Sequence, residues 1–240
     1  MAGHSKWANI KHKKAKEDAK RGKVFTKLIK EITVVARDGG GDPEGNPRLR
    51  LLIEKARQAN MPADNINRAI KKGTGELEGA NYEPVTYEGY GPCGVAVMVE
   101  ALTDNKNRTV ADVRHVFTKS GGNLAEGGAV AWMFGHKSVV SLSGVTSSED
   151  DLLEEFLDHG VEDIEMGDDG AVRLIAAVAD MFTLKAAAES AGYTVSDAQL
   201  EWVASTKATI EDEDAQEKVF KFLDKLDELD DVQQVYANIA

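Results

Sequence analysis

From Phe25 onward the apolar residues Phe25, Leu28, Ile29, Ile32, Val35 and Ala36 recur at steps of three and four, which lines one face of a helix. Gly39, Gly40 and Gly41 end it. Asn46 before Pro47 reads as an N-cap with proline in the first turn, and Leu49, Leu52, Ile53 and Ala56 continue a second amphipathic face. Pro62 and Asp64 open a third, shorter helix through Ile66, Ala69 and Ile70, which Gly73 stops.

Beyond a Gly- and Glu-containing linker at 73–81 the period changes from 3.6 to 2. The pattern predicts strands at Val85–Tyr90 and Val95–Leu102, a helix at Asn107–Lys119 and a strand at Ala129–Phe134. A second unit follows: a strand from Ser138 to Leu142, a helix from Ser148 to Leu157 capped by Ser147, and a strand at Val161–Met166. The Gly167–Gly170 turn leads to a strand at Ala171–Val178, a helix at Met181–Ser190 and a strand at Thr194–Val203. That order, βαββαβ, is the ferredoxin-like one and forms a complete set. A strand at Lys207–Ile210, a helix carrying Val219, Phe222, Leu223, Leu226 and Leu229, and a strand at Val232–Ala237 remain without a sheet of their own. They are therefore expected to return to the sheet of the first unit. The fold class is α+β, with a helical domain at 1–78, an α+β domain at 79–134 plus 206–240, and a ferredoxin-like domain at 135–205 inserted in it.

Composition changes this picture little until charge is resolved along the chain. Apolar residues make up 42% and charged residues 29%, as in ordinary globular chains. No apolar run approaches the ~18 residues that span a bilayer, and the polar, basic start is unlike a signal peptide. Cys93 is the only cysteine, so no intramolecular disulfide can form. A cytoplasmic protein without a membrane partner is expected. The net charge of -12 is unevenly distributed. Residues 1–72 hold 18 Lys/Arg against 8 Asp/Glu, leaving 11 and 33 for the remaining 168.

Clustered cations suit a sugar-phosphate polymer, because neutralising phosphates releases condensed counterions. From Lys6 to Lys30 there are ten basic residues and two acidic ones. Lys6, Lys11, His12, Lys13, Lys14, Lys16, Lys20, Arg21, Lys23 and Lys27 are candidate phosphate contacts; Lys30 extends the stripe and Gly22 offers a point of bending or close approach. Trp7, inside the run, could stack on an unpaired base for about 1–3 kcal/mol, or dock against the body. The second helix adds Arg48, Arg50, Lys55 and Arg57, whereas Lys71 and Lys72 suit the dipole at the end of the third helix. A solvated surface would also accept charge, but an otherwise acidic protein gains no solubility by gathering its cations at one end. The acidic remainder would orient the contact by repulsion.

In the body, Thr103–Thr109 is an unusual polar stretch. Asp104 or Asn105 could cap the next helix, while Lys106, Arg108, Arg114 and Lys119 offer a second cationic surface. Gly89–Gly94 matches the dinucleotide-binding G-x-G-x-x-G by letter, yet a strand follows where a helix N-terminus is required, so a strand-to-strand turn is expected. The five histidines lack metal-ligand spacing, and acid pairs such as Glu154–Glu155, Asp168–Asp169 and Asp230–Asp231 read as solvated. No catalytic residue, metal ligand, cofactor site or small-molecule substrate is expected.

Several motifs are nonetheless familiar: Ala2-Gly3-His4-Ser5-Lys6-Trp7, Asn9-Ile10-Lys11-His12-Lys13-Lys14, Ala59-Asn60-Met61-Pro62, Tyr87-Glu88-Gly89-Tyr90-Gly91-Pro92, Leu102 through Thr109, and Gly121-Gly122-Asn123-Leu124. Over essentially its whole length the chain resembles the YebC/PmpR family, which includes the mitochondrial translational activator of cytochrome c oxidase. The resemblance implies three domains, one helical and two α+β, the third inserted in the second. It implies either a DNA-binding transcriptional regulator or a translation factor that binds ribosomal RNA on the ribosome and relieves stalling on proline-rich sequences. The lack of a helix-turn-helix signature and the cationic loop near Arg108 tilt the residues toward structured RNA, while the family description keeps transcription in contention. Cys93 stands where the family has glycine, and suits a turn only if its backbone is not left-handed.

Overall fold

The computed structural model describes residues 18–239, with the side chains of residues 18–21 left aside. Three helices come first: α1 (Asp18–Gly39), α2 (Pro47–Gln58) and α3 (Ala63–Gly73). Helix α1 runs unbroken through Gly22. Leu28, Ile32, Val35 and Ala36 of α1 meet Leu49, Leu52, Ile53 and Ala56 of α2 and Ile66 and Ala69 of α3 in one core. Asn46 fixes the α1–α2 corner. Its side-chain oxygen accepts the Leu49 N–H at 3.1 Å, while its amide donates to the Val35 and Gly40 carbonyls at 3.1 and 2.9 Å. Gly73 lets α3 touch α1, since a Cβ there would lie 2.4 Å from the Thr33 carbonyl oxygen.

The first sheet joins β1 (Glu83–Tyr90), β2 (Ala96–Thr103), β3 (Asn123–Leu124) and β8 (Val232–Ala237) in the order β3-β1-β2-β8, antiparallel throughout. Helices α4 (Lys106–Lys119) and α7 (Glu213–Asp227) cover one face and meet through Phe117 and Phe222, edge to face at 4.9 Å. Of the elements after residue 205, α7 packs on this sheet and β8 joins it beside β2.

The second sheet holds β4 (Phe134–Ser143), β5 (Val161–Met166), β6 (Val172–Ala176) and β7 (Thr194–Ala204) in the order β5-β6-β4-β7, with α5 (Glu149–Phe156) and α6 (Met181–Ser190) on one face. This is the ferredoxin-like arrangement inserted between α4 and α7. Its opposite face meets the back of the first sheet through Phe134, Ala204, Met98 and Tyr236. At that seam the Glu100 carboxylate accepts the Trp202 indole N–H at 2.9 Å and the Tyr236 hydroxyl at 3.2 Å.

Four local expectations are corrected. Ala129–Phe134 is not a strand: its first part is a loop with a short 3-10 turn at Ala131–Met133, and Phe134 begins β4. The Glu88 carboxylate takes the N–H groups of Gly128, Val130 and Ala131 at 2.7, 2.8 and 2.9 Å, so those donors are unavailable to a ladder. Lys207–Ile210 makes only an isolated bridge between Ala208 and Ile239, with the Lys207 ammonium drawn to Glu165 at 2.6 Å. Helix α5 is capped by Ser148 rather than Ser147, in a reciprocal capping box with Asp151. Cys93 is left-handed, at φ 60°, the conformation in which glycine was expected.

Candidate nucleic-acid interface

Of the candidate contacts, Lys6, Trp7, Lys11, His12, Lys13, Lys14 and Lys16 lie outside the described residues. Lys20 and Arg21 fall in the first turn of α1. The next three lysines of that helix turn toward the acidic loop after α7. Lys23, exposed, donates to the Glu228 carbonyl at 2.7 Å. Lys27 reaches the Asp227 carboxylate at 3.0 Å and the Gln233 carbonyl at 3.3 Å. Lys30 is buried and donates to the Asp231 carboxylate and the Asp230 carbonyl, both at 2.8 Å. The stripe therefore splits: Lys27 and Lys30 tie the helical layer to the α+β body instead of facing a phosphate. The reason is spacing, since residues 23, 27 and 30 share one helical face and that face docks.

Asp231 is the hub of this joint. Besides Lys30 it accepts from Arg108 at 2.7 Å, Thr109 at 2.7 Å and Thr103 at 3.3 Å. Burial alone would raise its pKa; the hydrogen bonds from Lys30, Arg108 and Thr109 outweigh it and hold the carboxyl at about 2. The expectation that Asp230–Asp231 is merely solvated is thus overturned for Asp231, whose partners stand 122 to 201 residues away in sequence. Arg108 is likewise committed, bridging Asp231 and Asp104 at 2.7 and 2.8 Å, and Lys106 pairs with Glu83 at 2.5 Å. Asn105 supplies the cap, accepting the Arg108 N–H at 3.1 Å. The loop read as half cap and half cationic surface is a cap whose cations are matched by carboxylates. Farther along α4, Arg114 and Lys119 are exposed.

Helix α2 divides its cations by partner. Lys55 pairs with Asp197 at 2.6 Å and Glu54 with Lys185 at 3.0 Å, clamping α2 to the ferredoxin-like module, with Leu51 packed on that module's core. Arg48, Arg50 and Arg57 are exposed, and among the described residues none of them forms a salt bridge. Arg50 and Arg57 stand seven residues apart and so project from the same side. Arg68 on α3, which pattern reading passed over, is exposed as well. Arg48 also borders a cavity of about 300 Å³ where the three layers meet, lined by Glu31, Lys55, Glu100, Gln199 and Tyr236. Burial raises the Glu31 carboxyl above its ordinary value although Lys55, Lys27 and Arg48 oppose the shift.

Within Gly89–Gly94, Gly89 and Tyr90 end β1 and Gly91–Gly94 form the turn into β2, where Gly91 makes room for Phe222, whose ring would stand 2.5 Å from a Cβ. His136 stacks on Trp202 at 4.8 Å. Among the described residues there is no cluster of three His, Cys, Asp or Glu able to hold a metal, and no helix is long and apolar enough to cross a membrane.

Comparison with known proteins bears on the whole chain. Residues 5–76 match the family described as the TACO1/YebC protein N-terminal domain, and residues 82–239 match the TACO1/YebC second and third domain. A protein of Neisseria gonorrhoeae named a probable transcriptional regulatory protein is 56% identical over 239 residues, covering 99% of this chain and 98% of its own. One of the same name from Persephonella marina is 52% identical over 238 residues, covering 99% and 95%. The crystal structure of a conserved hypothetical protein from Aquifex aeolicus superposes with a TM-score of 0.86 at 50% identity, covering 94% of this chain and 93% of that one.

Proposed function

This chain belongs to the TACO1/YebC family, and on that premise we propose that it is a DNA-binding regulator of transcription that acts by binding rather than by turnover. The reading rests on one observation. The charge of the chain is split between a cationic part at residues 1–72 and an acidic remainder, and Arg48, Arg50 and Arg57 stay exposed after the structural ion pairs have claimed Lys27, Lys30 and Lys55. The names of the bacterial relatives agree with it.

In this reading the contact set is Lys6, Trp7, Lys11, His12, Lys13, Lys14, Lys16, Lys20 and Arg21 with Arg48, Arg50 and Arg57, and the protein works in the cytoplasm without a small-molecule substrate. The chain acts as three units, 1–78, 79–134 with 206–240, and 135–205. The first grips phosphate and the acidic pair behind it fixes the orientation by repulsion. A gel shift with duplex DNA across a salt series tests this. About four to six phosphate contacts give a log-log slope of roughly -3 to -6. No complex at low salt, or a slope near zero, would overturn the reading.

A further inference from the structure

Trp132 is 73% exposed, more than any other large apolar side chain among the described residues. Its position is built, not incidental. Glu88, itself buried, accepts three backbone N–H groups of the loop that leads to it, and a carboxylate is tolerated inside only when its lone pairs are met in this way. The Ala129 carbonyl then receives the Trp132 indole N–H at 3.1 Å and the Tyr90 hydroxyl at 3.2 Å, so both aromatic side chains are anchored by their polar atoms to one point of the loop.

This leaves the indole with no donor to offer. Its available surface is the flat hydrocarbon ring, which recognises another flat ring by stacking and not by hydrogen bonds. The surroundings admit a polyanion. Glu126 is the only charged residue from Ser120 to Gly135, and the helix leading into this segment carries exposed Arg114 and Lys119. The ferredoxin-like module differs. Residues 135–205 hold 3 Lys/Arg against 15 Asp/Glu, so its exposed Leu153, Leu157 and Phe182 are screened from phosphate by repulsion. Trp202 differs again, with its indole N–H committed to Glu100 and its ring stacked on His136.

We propose that Trp132 is a stacking platform for one unpaired nucleobase, a contact separate from the phosphate grip of residues 1–72. The inference rests on the chain binding nucleic acid at all. A base of melted DNA and a base of single-stranded RNA share the chemistry required.

The test titrates the full chain with single-stranded oligodeoxyadenylate, single-stranded oligoadenylate and a blunt DNA duplex of the same length. Trp132→Ala should weaken single-strand binding about ten-fold, within the range for one base–aromatic stack, and leave duplex affinity unchanged. Trp132→Phe should recover most of the loss, and the quenching of intrinsic fluorescence by the single strands should fall in both variants. The larger loss between the two single strands identifies DNA or RNA as the source of the base. An unchanged thermal midpoint for Trp132→Ala shows that the loop still folds. Binding by the parent that Trp132→Ala leaves intact for all three probes removes the inference alone and leaves the indole to a protein contact. Equal losses on duplex and single strands also overturn it. A parent that binds none of the probes removes the functional reading together with this one.

Discussion

Lys30 and Asp231 meet at 2.8 Å although 201 residues separate them, and both side chains are buried. Through this pair the first described helix is fastened to the turn between the last helix and the last strand. Leaving one buried charge without its partner typically costs about 3–5 kcal/mol. Asp231→Ala should approach that range, because it strands Lys30 and also takes an acceptor from Arg108 and Thr109. Denaturant unfolding with a two-state fit measures it. A loss below about 1 kcal/mol would show the joint to be dispensable.

The same carboxyl sets an acid limit. Its pKa falls from 3.8 to about 2 on folding, so the unfolded chain binds the proton more readily than the folded one. The stability it contributes is complete above about pH 4 and is lost as pH falls toward 2. Between those values the midpoint of unfolding should drop more steeply for the parent than for Asp231→Asn. Parallel curves for the two would place the acid sensitivity elsewhere.

Glu88→Gln should loosen the loop at 126–133 while leaving both sheets intact. The amide of glutamine turns a donor toward backbone N–H groups that now meet an acceptor on each oxygen. A loss of about 1–3 kcal/mol is expected from the donors left unmatched. Hydrogen exchange should accelerate at Gly128, Val130 and Ala131 first. Unchanged protection there would mean that the clamp does not hold the loop.

Cys93→Gly should stabilise the chain. The left-handed conformation at φ 60° strains a residue with a Cβ by about 1–2 kcal/mol, while the added freedom of glycine in the unfolded chain returns about 0.5–1. A net gain of about 0.5–1 kcal/mol, or a rise in Tm of roughly 1–4 °C, follows. Calorimetry on the two chains decides the sign, and a lower Tm for the glycine variant refutes it.

Charge removal should separate the two kinds of cation. Arg50→Gln with Arg57→Gln should flatten the salt slope for DNA by about two, one for each contact, at little change in stability. Lys27→Gln with Lys30→Gln should do the opposite, lowering stability and leaving the slope alone in chains that remain folded. The reverse pattern would place the phosphate-facing side of α1 where the structure has its docking side.

Much of the architecture could be read from local pattern. The 3.6-residue period located α1 to α3, and the full βαββαβ set left α7 and β8 nowhere to go but back to the first sheet. What pattern could not reveal depends on partners distant in the chain. Ala129–Phe134 has the composition of a strand, but its donors are claimed by Glu88, about 40 residues earlier. Lys27 and Arg108 look like any exposed cation until the fold brings Asp227 and Asp231 beside them. Arg50 and Arg57 look like Lys55 in the sequence, and only the fold shows that Lys55 meets Asp197 while the two arginines form no salt bridge among the described residues.

The placement of β8 beside β2 bears on how the protein is made. During synthesis β2, buried at Ala96, Val97, Met98 and Val99 in the finished fold, has β1 on one side and an open edge on the other until Val232–Ala237 emerge. The entire ferredoxin-like module is translated in that interval and can close on itself while its host sheet waits half-built. An apolar edge left open is a template for pairing with a neighbouring nascent chain. Ribosomes that pause within residues 135–231 should therefore release more aggregate than ribosomes that pause before residue 96.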